Sequence, residues 1–153
     1  MTMTSGSFRA SSLIVLLMTA LLLGLTVRVA EPAHAINSSE YSMLRKLNNA
    51  RNYYGIRSLR INSQISSVAR EHSAQMAKRA RIYHSNLEYT LRQFSWRIAG
   101  ENVGRGPSLH GIYRAFMYSS SHRRNVLHRS FRNTGIGVVW RDGVAYVTVL
   151  FTG

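Results

Sequence analysis

The sequence predicts an α+β fold in which helices come first and a β-hairpin closes the chain. Apolar residues recur at helical spacing through two long segments between Asn37 and Tyr83. The last twenty residues are rich in β-branched side chains, with Asp142-Gly143 at their centre, a strong two-residue turn signal. Between these regions, Ile98 to Val103 reads as a short strand that Gly104, Gly106 and Pro107 should break.

The chain opens on a different kind of segment. Arg9 precedes an uncharged apolar run from Leu13 to Val27, and Ala33-His34-Ala35 follows as a small-x-small site. That order reads as a secretory signal peptide over residues 1–35. The run is shorter than the ~18–20 residues of a spanning helix. An uncleaved membrane anchor is the alternative, because Val29 and Ala30 extend the apolar tract past Arg28. Residues 36–153 then form one domain, long enough to bury a core without covalent staples.

Asn37 and Glu40 have capping-box spacing, and Met43, Leu44, Leu47, Ala50 and Tyr54 form a helical stripe that ends before Gly55. A helix from Ser38 to Tyr54 is expected, with Arg51 placed to snorkel from its apolar face. Ile56 to Ile61 reads as an extended connector. Asn62 or Ser63 caps a second helix running to about Ile82, with Ile65, Val68, Ala69, His72, Met76, Ala80 and Tyr83 inward and Arg70, Lys78, Arg79 and Arg81 on a solvated face. Asn86 to Arg97 is a loop with one helical turn. Ser108 caps a third helix, and Ser119 to Ser121 end it and recap a turn from His122 to His128. Gly135 and Gly137 strip one face of the first hairpin strand, so a helix or a ligand must approach closely there.

Composition limits the chemistry. The absence of cysteine excludes disulfides and thiolate metal sites. The net charge is +14, and residues 36–153 hold 18 basic against five acidic side chains, nearly all the basic ones arginine. Such a chain is drawn to anionic surfaces. With an export signal, the expected partners are cell-wall polymers, acidic lipid headgroups or polyanionic glycans. Nucleic acid is disfavoured, since no nucleic-acid motif is present.

Gly100-Glu101-Asn102, His122-Arg123-Arg124-Asn125-Val126-Leu127 and Gly135-Ile136-Gly137-Val138-Val139 occur in that order. Together with Leu47-Asn48, Arg51, Gly55 and His72-Ser73 they make the chain resemble a CAP domain. That superfamily holds cysteine-rich secretory, antigen-five and pathogenesis-related proteins, and the resemblance is greatest to its small cysteine-free bacterial branch. It covers about Tyr41 to Phe151. It implies an α-β-α sandwich with a small antiparallel sheet of about three strands. It also implies a central cleft, which in the eukaryotic families holds two histidines and two acids and often a divalent metal such as zinc. His84, Glu101 and His122 match three of those four positions. The fourth should fall near Ser119, and the chain has no acid between Glu101 and Asp142.

Two functional readings follow. In the first, the chain is a secreted binding module for an envelope component, lipid or anionic polymer, with Arg123 and Arg124 on the ligand rim. In the second, it is a metal-assisted hydrolase with His84, Glu101 and His122 as catalytic candidates and His84 and His122 as metal ligands. The serines beside His122 read as caps, because no G-x-S-x-G elbow is present. His72 reads as a satisfied core histidine, and His110 and His128 as surface residues.

Overall fold

The computed structural model describes residues 35–153; the expected leader lies outside the described residues, save Ala35. Helix α1 spans Ser38–Tyr53. Its start is the anticipated capping box: the Asn37 side chain accepts from the Glu40 amide at 2.9 Å, and Glu40 Oε2 accepts from the Asn37 amide at 3.0 Å. Gly55 follows at φ +63°, where a Cβ is disfavoured. Strand β1, Arg60–Ile61, lies within the expected connector. Helix α2 spans Ser63–Lys78, capped by Asn62, whose side chain accepts from the Ile65 amide. It stops four residues short of the expected end, because Ala80 turns left-handed at φ 51°.

Helix α3 is the one turn Leu87–Thr90, and strand β2 covers Ala99–Gly106. The glycines expected to break β2 lie inside it. All eight residues pair with β4, and Gly104 leaves the space that Ile112 and Phe116 fill. Helix α4, Leu109–Tyr118, begins at Ser108, whose hydroxyl accepts from the Gly111 amide. Helix α5 is Ser120–Val126. Strands β3, Asn133–Arg141, and β4, Val144–Thr152, form the hairpin. Asp142 and Gly143 both have positive φ, as a type I′ turn requires.

The sheet order is β1-β3-β4-β2. Three strands are antiparallel, as expected, and the two-residue β1 adds a fourth, parallel to β3. Alternation along the strands sorts the two faces. Ile136, Val138, Val147 and Val149 join Met43, Leu47, Ile112 and Phe116 in the main core under α1 and α4. The other face meets α2: Leu150 packs with Ile65 and Ala69, and Val103 and Tyr146 with Met76 and Ala77. A Cβ at Gly135 or Gly137 would fall inside the backbone of Ile65 or Ala69. The close approach expected at those glycines is therefore made by a helix. The result is a three-layer α-β-α sandwich.

Two arginines depart from their expected places. Arg51 does not snorkel; it is wholly buried. Its guanidinium donates to the carbonyls of Arg57, Val126, His128 and Phe131 at 2.8–3.1 Å. Burial, and then the charge of Arg132, push its pKa down. Arg70 is not on a solvated face. It makes a two-pronged bond at 2.8 Å to Glu40, whose carboxylate is buried, and that bond raises the pKa of Arg70. It thereby ties α2 to α1 around the sheet.

Candidate functional site at the β2 edge

Successive residues of β2 point to opposite faces, and this divides the candidate site. Glu101 turns toward the α2 side, where the chain leaving α2 delivers His84 and Ser85. Asn102 turns toward α5 and donates to the His122 carbonyl at 3.0 Å. Asn125 closes this side by donating to the Glu101 carbonyl and to the Asn102 side chain. The Gly-Glu-Asn segment thus positions two elements at once, one through each side chain.

Glu101 is buried, and both its oxygens are engaged. Oε1 accepts from the Ser85 amide at 2.9 Å and meets His84 Nδ1 at 2.7 Å; Oε2 bonds the Ser85 hydroxyl at 2.6 Å. A carboxylate can only accept, so the His84 ring donates from Nδ1, and its neutral form carries the lone pair on Nε2. The His84 side chain is 62% exposed, so that lone pair is available to solvent or ligand. His72 Nε2 lies 4.0 Å from Oε2 and is engaged at 2.9 Å with the Tyr83 carbonyl. A carbonyl accepts only, so His72 donates there, and its ring meets the Tyr83 ring edge-on. His72 is thus a satisfied, buried histidine, as expected, but one that braces the site.

The His122 ring has a different partner. Its Nδ1 is 2.9 Å from Ser119 Oγ, and its ring rests near that of Phe116. Burial, and then the charge of His84, lower its pKa, so the ring is neutral at neutral pH. Ser119 is the N-cap residue of α5 but makes no side-chain cap bond. Its hydroxyl bonds His122 Nδ1 and the Ser121 hydroxyl instead, and the three-residue spacing across the helix start brings it to the ring. The resemblance expects an acid near this position; the His122 ring has a serine hydroxyl here.

Among the described residues, no group of three or more His, Asp or Glu side chains is arranged to hold a metal ion. Two imidazoles could each present Nε2, with Glu101 and Ser119 fixing the rings from behind. The Arg123 guanidinium lies over the Tyr54 ring at 4.9 Å, and Arg124 is exposed. His110 is exposed, whereas His128, expected at the surface, is half-buried on Phe131. Sequence reasoning gave no site role to Ser85 or Tyr83; their positions directly beside His84 were the available signal.

Fold and site together define a class: a small α-β-α sandwich with an imidazole–carboxylate cluster on its edge strand. A sequence model of the CAP family, the Cysteine-rich secretory protein family, matches residues 44–151, and the chain belongs to that family. The uncharacterized protein YkwD of Bacillus subtilis is 27% identical over 113 residues, covering 69% of this chain and 44% of YkwD. The chain therefore spans less than half the length of that relative. An outer surface protein of Borrelia burgdorferi superposes with a TM-score of 0.69 at 16% identity, over 77% of this chain and 94% of its own. An extracellular SCP-domain protein of Bacillus anthracis gives 0.67 at 22% identity, over 73% of this chain and 39% of its own. At these identities the two structures are alike in fold.

Proposed function

We propose that this protein is an exported CAP-domain binding module that engages an anionic component of the cell envelope. The observation that carries the reading is the disposition of the carboxylates. Of the five acids among the described residues, Glu40 and Glu101 are buried and committed to internal partners. Glu71, Glu88 and Asp142 are left at the surface among more than a dozen arginines and lysines. The outer field is thus strongly positive, and it attracts polyanions. The family's secretory description and the extracellular and outer-surface proteins of similar fold support export. Residues 1–35 serve as the leader in this reading. N-terminal sequencing of chain recovered from culture medium should begin at Ile36, and recovery only of full-length, membrane-bound chain would favour the anchor alternative.

Retention on purified cell walls tests the binding itself. The full chain should sediment with walls at low ionic strength and release as salt shortens the screening length to a few ångströms. Failure to sediment at low salt would overturn the reading.

The geometry of His84 favours a second reading, that of a hydrolase. A carboxylate holds the ring by Nδ1 and leaves Nε2 free to take a proton, the arrangement of an oriented general base. A divalent metal, held by His84 and His122 with its remaining positions open, would supply a Lewis acid there. On this reading His84→Ala and Glu101→Gln both abolish turnover of an envelope ester or amide. Full turnover in either variant excludes it.

A further inference from the structure

Two hollows open on the outer side of α2, with cavity volumes of about 380 and 480 Å³. Both are in the size range of ligand sites. Val68, Glu71 and Gln93 line both, so they join into one groove between α2 and the α3 loop. The lining runs from Ser63 to Gln75, which along a helix is about 18 Å. His84 lies at one end, and neither Glu101 nor His122 is part of the lining.

We propose that this groove seats a glycan strand bearing carboxylate groups. The proposal rests on the envelope-binding reading and assigns it a place and a ligand chemistry. Three observations converge. First, the walls carry side-chain amides, hydroxyls and aromatic rings, the mixture that hydrogen-bonds sugar hydroxyls and covers the apolar faces of sugar rings. Tyr89 is 66% exposed there, and Gln93 is exposed beside it. Second, Glu71 faces both hollows and makes no ion pair among the described residues. An unpaired carboxylate on a basic surface suits acceptance from sugar hydroxyls. Third, cations are fixed at the tyrosines: Arg92 lies over Tyr89 at 3.9 Å, and Arg79 and Arg81 over Tyr83 at 5.0 and 5.7 Å. Stacking pre-orders these guanidinium groups, so less entropy is lost when they meet a carboxylate. The cations gather at the Tyr83–Tyr89 end of the groove and attract the strand's charges there, while Glu71 takes its neutral hydroxyls. An apolar lipid tail would gain little from such walls.

The test uses the full chain and a defined probe, an oligogalacturonate, with its methyl-esterified counterpart as the uncharged control. Calorimetric titration should show tighter binding of the free acid. Arg92→Gln and Tyr89→Ala should each weaken it about tenfold, and Arg92→Gln should reduce the preference for acid over ester. Arg45→Gln, an exposed change of equal charge on α1, should leave binding unaltered. Equal binding of acid and ester, or wild-type affinity in both groove variants, would overturn the proposal. Wall retention separates this outcome from the parent reading. Groove variants that sediment with walls like the wild type sink the groove alone. A wild-type chain that ignores walls yet prefers the acid probe keeps the groove and sinks the envelope reading.

Discussion

Arg51 illustrates how a single side chain can hold distant parts of a small domain. Its five N–H donors serve four carbonyls, three of them 75 to 80 residues away in sequence. Those carbonyls belong to the end of α5 and the turn beyond it, so Arg51 anchors the element that carries His122. Removing the cation strands these acceptors in the interior. Arg51→Met should therefore cost about 3–5 kcal/mol in urea unfolding. Arg51→Lys should recover little, because an ammonium cannot reach the same fork of acceptors. A loss below about 1 kcal/mol in Arg51→Met would show that the carbonyls find other partners. Ser119 offers a second experiment. Ser119→Asp places a carboxylate against His122, which favours the charged imidazole, so the His122 pKa should rise from its depressed value. Titration of the ring by NMR reads that directly, and an unchanged or lower value would mean the carboxylate turns away to cap α5.

At the scale of elements, the sheet decides which residues can cooperate. Gly135 and Gly137 let α2 lie against β3, and α2 in turn delivers the chain to His84. Gly137→Ala would drive a methyl group into the helix backbone at Ala69. Overpacking of this kind costs about 1–3 kcal/mol or more. We expect the upper end, seen as a lowered melting temperature, because backbone cannot rotate aside as a side chain can. A melting temperature equal to wild type would show that α2 floats on the sheet. Much of this level was legible in advance. The capping box at Asn37, the Ser108 cap and the Asp142-Gly143 turn are local signals in which side chain and backbone partner lie within a few residues. The premature end of α2 and the extension of β2 through Gly104 and Gly106 were not legible. One depends on a left-handed Ala80, the other on β4 supplying partners for every residue of a glycine-rich strand.

For the whole molecule, charge and its burial matter more than any one contact. The pairing of Glu40 with Arg70 locks α1 to α2 and hides a carboxylate, and Glu101 is hidden on the edge strand β2. The pair takes one charge of each sign from the surface, whereas burial of Glu101 leaves that surface more cationic. Salt should accordingly weaken wall binding of the full chain steeply, whereas urea stability should change far less, since the buried pair is poorly screened. Parallel sensitivity of both would mean that the ion pair is open to solvent. The candidate site obeys the same logic. The residues named from the sequence were His84, Glu101 and His122; the structure joins His84 and Ser85 to Glu101 and His122 to Ser119, an arrangement not legible beforehand.

The sequence by itself determined the order of helices and strands, the hairpin, the net charge and the lack of thiol chemistry. Those depend on local hydrogen bonding, periodicity and composition, which a linear chain already contains. Only the tertiary structure decided which way each polar group faces. The pleat of β2 sends Glu101 and Asn102 to opposite sides, and α2 and the α3 loop together leave a groove that neither outlines alone. Partners that meet only after the chain has closed on itself have no signature in any short stretch of residues.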